Sequence, residues 1–524
     1  MKKVTKIAIL LAALVLSTNL TYAKTVSIKK TTQTQKLTQT KKATELVIIH
    51  GNDTHGRILE GPNDGIGYAR IDGYVEAMEA QYKNVLYLDA GDTLHGTVMA
   101  VLDKGESMVK VLNETGVDAT VPGNHDFNYG IDRLVELSKK MNFPILASNV
   151  VWEKNGSLIF KDYIIKTFDG YKVGIFGLST PETLVKTSPN NVEGVIFLDP
   201  VTTARETVKK LKDQKVDYII ALSHLGLDTA SEAKDRADNL AMLVPEIDLI
   251  VDAHSHTQLD KGRKINGNYV VQTGEYGKNI GKVVVTLNPD GTEKEDISLI
   301  IKKDGMLLTQ DPDMVKLVDG IKAEQSKISE VIVGKTEVKL LGDRKVVRAG
   351  ESNLGNFLTD AMLWKTGAEI ALTNGGGIRS SIDAGDITRG EVITVLPFGN
   401  YVIVQELTGK DIKAALENGI AGYPSLDYGP FAHVAGLKYV YDGTKAVGER
   451  VVSVTLANGK ALDLNTTYKV ATNDFIAAGG DNYIMFKGKK VLGNYESLEE
   501  ILTSYIQSGA KAKADVEGRI TPIK

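Results

Sequence analysis

The chain has 524 residues, 42% hydrophobic and 24% charged, with no cysteine and a formal charge of −4. So long a chain exceeds what one hydrophobic core can organise, and two domains are expected. The missing cysteines exclude disulfide staples, thiolate zinc sites and a lipidated cysteine anchor.

Residues 1–23 read as a signal peptide: a basic MKKVTK, the apolar run IAILLAALVL, and STNLTYA ending in a small residue. No other run approaches the roughly 18 apolar residues that suggest a membrane span. The mature protein is therefore expected without an integral membrane segment, exported to the periplasm or the outside of a bacterial cell. Residues 24–43 are rich in Lys, Thr and Gln and read as a disordered spacer. Residues 1–43 hold nine lysines and no acid, so removing them from −4 leaves −13 for residues 44–524. A body that acidic does not suit nucleic acid polymers, and no partner protein is implied. A small anionic substrate needs local cations there.

From Glu45 one pattern repeats. ELVIIH runs into Asp53 and His55, NVLYLDA into Asp92, VDATVP into Asn124 and His125, VDYIIALS into His224, and EIDLIVDA into His254 and His256. Each is a short apolar, β-branched run, as expected of a strand buried on both faces. Helical stretches such as YARIDGYVEAMEAQY and DPVTTARETVKKLKDQ lie between them. The alternation predicts a layered α/β domain with polar residues gathered where strands end. Of eight histidines, five (55, 125, 224, 254 and 256) fall at these ends, beside Asp53, Asp92 and Asn124. Imidazole, carboxylate and amide oxygen together are what two divalent ions require, one acid bridging and separate ligands on each side. Such N/O donors suit zinc, manganese, cobalt or similar ions.

Residues 311–332, DPDMVKLVDGIKAEQSKISEVI, have apolar residues at helical spacing and predict a helix connecting two domains, with an ordinary packing helix as the alternative. Beyond it, LTNGGGIRSSI carries three glycines that permit close backbone approach to a ligand, followed by Arg379. LPFGN places Phe398 and Asn400 on a turn, and NDFIAAGGDNY places Phe475 and Asp481 on a glycine-flanked loop.

The series DTH, GDT, GNHD, SH and HSH resembles the calcineurin-like metallophosphoesterase signature. With the C-terminal half, it resembles the secreted 5′-nucleotidase and UDP-sugar hydrolase family over roughly 44–520. The resemblance implies an N-terminal four-layer αββα sandwich (44–305), a linker helix (306–335) and a C-terminal α/β nucleotide-binding domain (336–524). It implies that Asp53, His55 and His256 hold one metal, that Asp92 bridges, and that Asn124, His224 and His254 complete the second. Position 256 is often Gln in the family, and so is position 95, here His. Two ions about 3.5–4 Å apart lower the pKa of a bridging water and clamp phosphate oxygens, giving a hydroxide that attacks phosphorus. The catalytic residues implied are His125, placed to meet the phosphoryl or leaving oxygen, and Asn128, expected to hold His125 through its side-chain oxygen. In the C-terminal half, Phe398 and Phe475 would sandwich the base and Asp481 would accept from ribose hydroxyls. Asn374 and Asn400 would orient neighbouring groups, and Arg379 and Arg348 would meet phosphate.

The function implied is an exported 5′-nucleotidase releasing phosphate and nucleoside from nucleotides. The alternatives are a 2′,3′-cyclic nucleotide 2′-phosphodiesterase/3′-nucleotidase, whose relatives share Asn-Tyr-Gly after Phe127, and a UDP-sugar hydrolase side activity. A 5′-nucleotidase more often has Asp at 128. A non-catalytic binding protein fits poorly with seven intact ligand positions.

Overall fold

The computed structural model describes residues 41–61, 65–187, 189–229 and 231–523. The leader predicted over 1–23 and the predicted spacer as far as residue 40 lie outside the described residues.

Two sheets form the N-terminal half. The first has five strands, in the order Glu293–Ile300, Ile280–Leu287, Thr44–Gly51, Val85–Asp89 and Ala119–Thr120. The last three run parallel to one another. The second sheet has six strands, with Tyr171–Ser179, Tyr218–His224 and Leu249–Val251 parallel at its centre. The period of two in a strand sorts side chains onto opposite faces, and the burial follows that sorting. Val47 and Ile49 enter a core shared with Ile71, Val75 and Leu134 from helices, whereas Leu46 and Ile48 enter a different core. That second core also takes Ile175, Ile220, Leu222 and Val251 from the other sheet, so the sheets face each other there. Phe176, Ile219, Ala221 and Ile250 point away into a third core with Val208, Leu211 and Leu240 from helices. Helices, sheet, sheet, helices: the αββα sandwich follows from three cores and one alternation.

The helix expected as a connector, Pro312–Ser329, starts on an Asp311 cap whose carboxylate accepts from Met314 N, with Pro at the first turn. It buries Met314, Val318 and Ile321 in the N-terminal helix-side core, so it packs as well as connects. In the C-terminal half, a five-stranded sheet has Ile370–Asn374, Thr467–Asn473 and Tyr401–Thr408 at its centre. Ala371, Val402 and Val404 face the helices Asn353–Thr366 and Leu498–Gln507, while Ile370, Leu372 and Leu407 face the helix Gly409–Gly419. Among the described residues no helix is long and apolar enough to cross a membrane.

Candidate active site

Parallel strands deliver their carboxyl ends to one side of each sheet, and there the predicted polar residues converge. Asp53 and His55 follow Thr44–Gly51, Asp92 follows Val85–Asp89, His224 ends Tyr218–His224, and His254 and His256 follow Leu249–Val251. The loops are tied together by backbone bonds: Asp53 N donates to Gly91 O and His55 N to Asp92 O, at 2.9 and 2.8 Å. The Asp126 carboxylate accepts from the backbone N–H of Asp92, Thr93, Leu94 and Gly123, clamping the loops of Asp92 and Asn124 together. Asp252 does the same in the second sheet, accepting from Ser223 Oγ, Leu225 N, Gly226 N and Gln272 Nε2. Asp53, His55, Asp92, His254 and His256 all have φ between 48° and 74°. Left-handed backbone at non-glycine residues costs of order 1–3 kcal/mol each, and such strain concentrates at functional sites. Gly123 is required for a different reason, because a Cβ there would lie 2.2 Å from Asp92 Oδ1.

Asp53, His55, Asp92, Asn124 and His224 are buried, each at most 3% exposed. Their donor atoms fall into overlapping groups of metal-binding size: Asp53–His55–His256, His55–Asp92–His125 and Asp53–Asp92–His224. Asp53 Oδ1, Asn124 Oδ1 and His224 Nε2 have no hydrogen-bond partner. His55 Nε2 and His256 Nε2 face each other at 3.1 Å. Unpartnered buried acceptors and opposed imidazole nitrogens fit a cation between them. His224, His254 and His256 are each oriented from behind. The Ala90 carbonyl lies 2.7 Å from His224 Nδ1, Glu275 Oε2 lies 2.6 Å from His256 Nδ1, and Glu182 Oε2 lies 2.8 Å from His254 Nε2. An acceptor at one nitrogen fixes the proton there and leaves the other nitrogen's lone pair for a ligand role. His254 stands outside the three groups; its ring centroid is 5.2 Å from that of His224, and its backbone N–H donates to Asp53 Oδ2. Burial pushes the His224 imidazole down, but Asp92 and Asp53 outweigh it and carry it up to about 10. For His256, Asp53 and Glu275 likewise overcome burial, to about 9. The cavity is an electrostatic sink for positive charge.

His125 lies on the short 3-10 turn Asn124–Phe127, with its N–H donating to Asp92 Oδ1. The expected pairing with Asn128 is present but reversed. Asn128 Nδ2, not its oxygen, lies 3.0 Å from His125 Nδ1, because Oδ1 is already taken by the Thr187 hydroxyl at 2.8 Å. An amide nitrogen only donates, so His125 Nδ1 accepts and its proton sits on Nε2.

Guanidinium groups from the C-terminal half approach this cavity. Arg379 Cζ is 5.4 Å from the Phe398 ring centroid. Burial and the neighbouring Arg379 and Arg344 pull Arg348 down to about 10, and burial lowers Arg379 as well. Asp427 offsets only part of this charge, bonding Arg348 and Arg344 at 2.8 Å. Clustered cations at partial compensation suit an anion. Arg344 was not singled out in the sequence, although it precedes Arg348 by four residues, one helical turn; Glu182, Glu275, Asp126 and Asp252 were also missed. The Phe398 ring stacks on His95 and His125, with centroids 5.1 and 5.5 Å away, and shows no ring contact with Phe475. The two imidazole centroids are 6.2 Å apart, less than the roughly 7 Å that rings straddling Phe398 would need. Both therefore share one side of it. Asn374 Nδ2 donates to Asp481 Oδ2 at 2.8 Å, holding that carboxylate, while Asn400 Nδ2 donates to Asp474. Phe475 packs partly buried against the C-terminal core and covers Gly480.

Residues 46–258 match the family model for calcineurin-like phosphoesterases, and residues 332–488 match that for the 5′-nucleotidase C-terminal domain. The trifunctional nucleotide phosphoesterase protein YfkN of Bacillus subtilis is 35% identical over 91% of this chain, which spans 35% of that protein's length. Protein UshA of Yersinia enterocolitica is 30% identical, over 84% of this chain and 86% of its own. The crystal structure of the 5′-nucleotidase precursor from Thermus thermophilus superposes with a TM-score of 0.78 at 34% identity, covering 91% of this chain and 99% of that one.

Proposed function

Because this chain belongs to the family of calcineurin-like phosphoesterases with a 5′-nucleotidase C-terminal domain, and is thus a metal-dependent phosphoester hydrolase, we propose that it is a 5′-nucleotidase. It cleaves the 5′-phosphate of nucleotides, yielding phosphate and nucleoside, and acts after export. The export reading rests on the basic start and apolar run of residues 1–23.

One observation carries the substrate reading. The orphaned ligand atoms of the N-terminal half and the arginine cluster and Phe398 of the C-terminal half converge, with Phe398 resting on His125. Asp53, His55, His256 and Asp92 would hold one divalent ion, and Asp92, Asn124, His224 and His254 the other. When bound, such a pair supplies Lewis acidity toward phosphate oxygens and water. The side chains supply the rest. His125 presents Nε2–H to a phosphoryl or leaving oxygen, the donor that developing negative charge needs. Arg379, Arg348 and Arg344 bind the phosphate, and their mutual repulsion is relieved when it arrives. The face of Phe398 opposite the imidazoles, together with Phe475, receives the base, and Asp481, held by Asn374, accepts from the ribose hydroxyls.

Asn128 supports a second reading, a 2′,3′-cyclic nucleotide 2′-phosphodiesterase/3′-nucleotidase, because the Asn-Tyr-Gly after Phe127 resembles that group, whereas a 5′-nucleotidase more often has an acid at 128. The test is phosphate release from AMP, 3′-AMP and 2′,3′-cyclic AMP, and UMP release from UDP-glucose, by Mn²⁺- or Zn²⁺-loaded protein. AMP as the fastest substrate supports the first reading. Turnover of the cyclic and 3′ substrates without AMP hydrolysis replaces it with the second.

A further inference from the structure

The site as described leaves out His95, three residues beyond Asp92 and 1% exposed. Its imidazole is engaged at both ends. Nε2 is 2.9 Å from the carbonyl oxygen of Pro397, 302 residues away, and Nδ1 is 3.2 Å from Asn128 Nδ2. A carbonyl only accepts, so the His95 proton sits on Nε2, and Nδ1 is the acceptor that an amide N–H requires. The same amide nitrogen lies 3.0 Å from His125 Nδ1, its second hydrogen donating there, and the amide oxygen accepts from the Thr187 hydroxyl. One assignment of protons satisfies every one of these contacts. A carboxylate at 128 would set two lone pairs face to face at His95 Nδ1, and a proton on His95 Nδ1 would set two donors face to face there. The His95 ring also stacks on Phe398 at an interplanar angle of 15°.

We propose that His95 is a positioning residue, coupling the seating of the Pro397–Phe398 turn to the tautomer and orientation of His125 through Asn128. The proposal rests on the nucleotidase reading above. The turn belongs to the half of the chain that receives the nucleoside, and His125 belongs to the half that faces the phosphate. Two hydrogen-bonded side chains join them. A turn out of place removes the acceptor that fixes the His95 proton on Nε2, and Asn128 then loses a firm partner for one of its two hydrogens. A space filler at 95 needs only volume, whereas this coupling needs a donor at one end and an acceptor at the other.

The variants His95→Leu and His95→Gln separate the two roles, since the glutamine amide carries both a donor and an acceptor. In full-length Mn²⁺-loaded protein, His95→Leu is expected to lower kcat for AMP by about 10- to 100-fold, the scale of a misplaced catalytic group, with His95→Gln within about threefold of wild type. In an Asn128→Ala background His95→Leu should add less than about twofold, since both act along one path. Amide exchange over residues 396–401 should quicken about tenfold in His95→Leu and stay at the wild-type rate in His95→Gln. Should Leu impair folding, His95→Met serves in its place. Wild-type kcat in His95→Leu, equal losses in the Leu and Gln variants, or additive losses with Asn128→Ala overturn the proposal. Exchange is read without turnover, so a protein that cleaves no nucleotide sinks the nucleotidase reading while the exchange comparison still decides the coupling.

Discussion

Arg344 and His256 meet across the two halves of the chain, with Arg344 Nη1 3.1 Å from His256 Nδ1 and both donating to the same oxygen of Glu275. A carboxylate that accepts from the back of His256 thus also anchors a guanidinium from the C-terminal half. Arg344→Ala is expected to lower kcat/KM for AMP by about 10- to 100-fold, the worth of one charge-assisted hydrogen bond, with Arg344→Lys recovering only part because it lacks the fork. Steady-state kinetics check this, and an Arg344→Ala enzyme with wild-type kcat/KM would detach Arg344 from the substrate.

Asn128 donates to two imidazoles, and an acid at that position cannot donate. In Asn128→Asp the proton of His125 is expected to move to Nδ1, facing the new carboxylate, which stabilises the imidazolium and raises its pKa. In the wild type, burial holds that pKa well below 6.5. Nitrogen-15 shifts of the eight histidines report both tautomer and titration. A His125 with unchanged tautomer and pKa in the variant would break the pairing.

Stability should carry a pH signature far from the cavity. Asp72, on the helix Tyr68–Gln81, is pushed up to about 7 by burial and then by Asp311 and Glu76. The unfolded chain ionises near 3.8, so between about pH 4 and 7 it binds fewer protons than the folded one, and stability falls as pH rises through that window. Asp72→Asn removes the penalty. Its melting temperature should exceed that of the wild type by at least about 2 °C at pH 8 and match it at pH 4, by calorimetry. An equal gain at both pH values would assign the effect to packing.

The strands and the polar residues at their ends were legible because a strand buried on both faces is an unbroken apolar run, and the first polar residue after it is conspicuous. Asp53, Asp92 and His224 needed nothing more. Which way the Asn128 amide points depends on Thr187, 59 residues on, and no local pattern encodes that choice. Glu182 and Glu275 sit on loops and meet His254 and His256 from distant parts of the chain, so their spacing carries no signal. Arg344 was hidden because the segment DRKVVR reads equally well as a solvated basic turn. The helix 312–329 looked like a tether because its apolar stripe is sparse; three residues of that stripe nonetheless reach the N-terminal core.

On the reading proposed above, two divalent ions held by Asp53, His55, Asp92, Asn124, His224, His254 and His256 run the hydrolysis of a nucleotide. Titrating metal-stripped protein with Mn²⁺ or Zn²⁺ while following phosphate release from AMP tests it most directly. Expected are no release without metal, a rise that levels off at two equivalents, and no recovery at any metal level in Asp92→Asn, which removes the bridging charge. Full phosphate release by the stripped protein, or by Asp92→Asn, would contradict it.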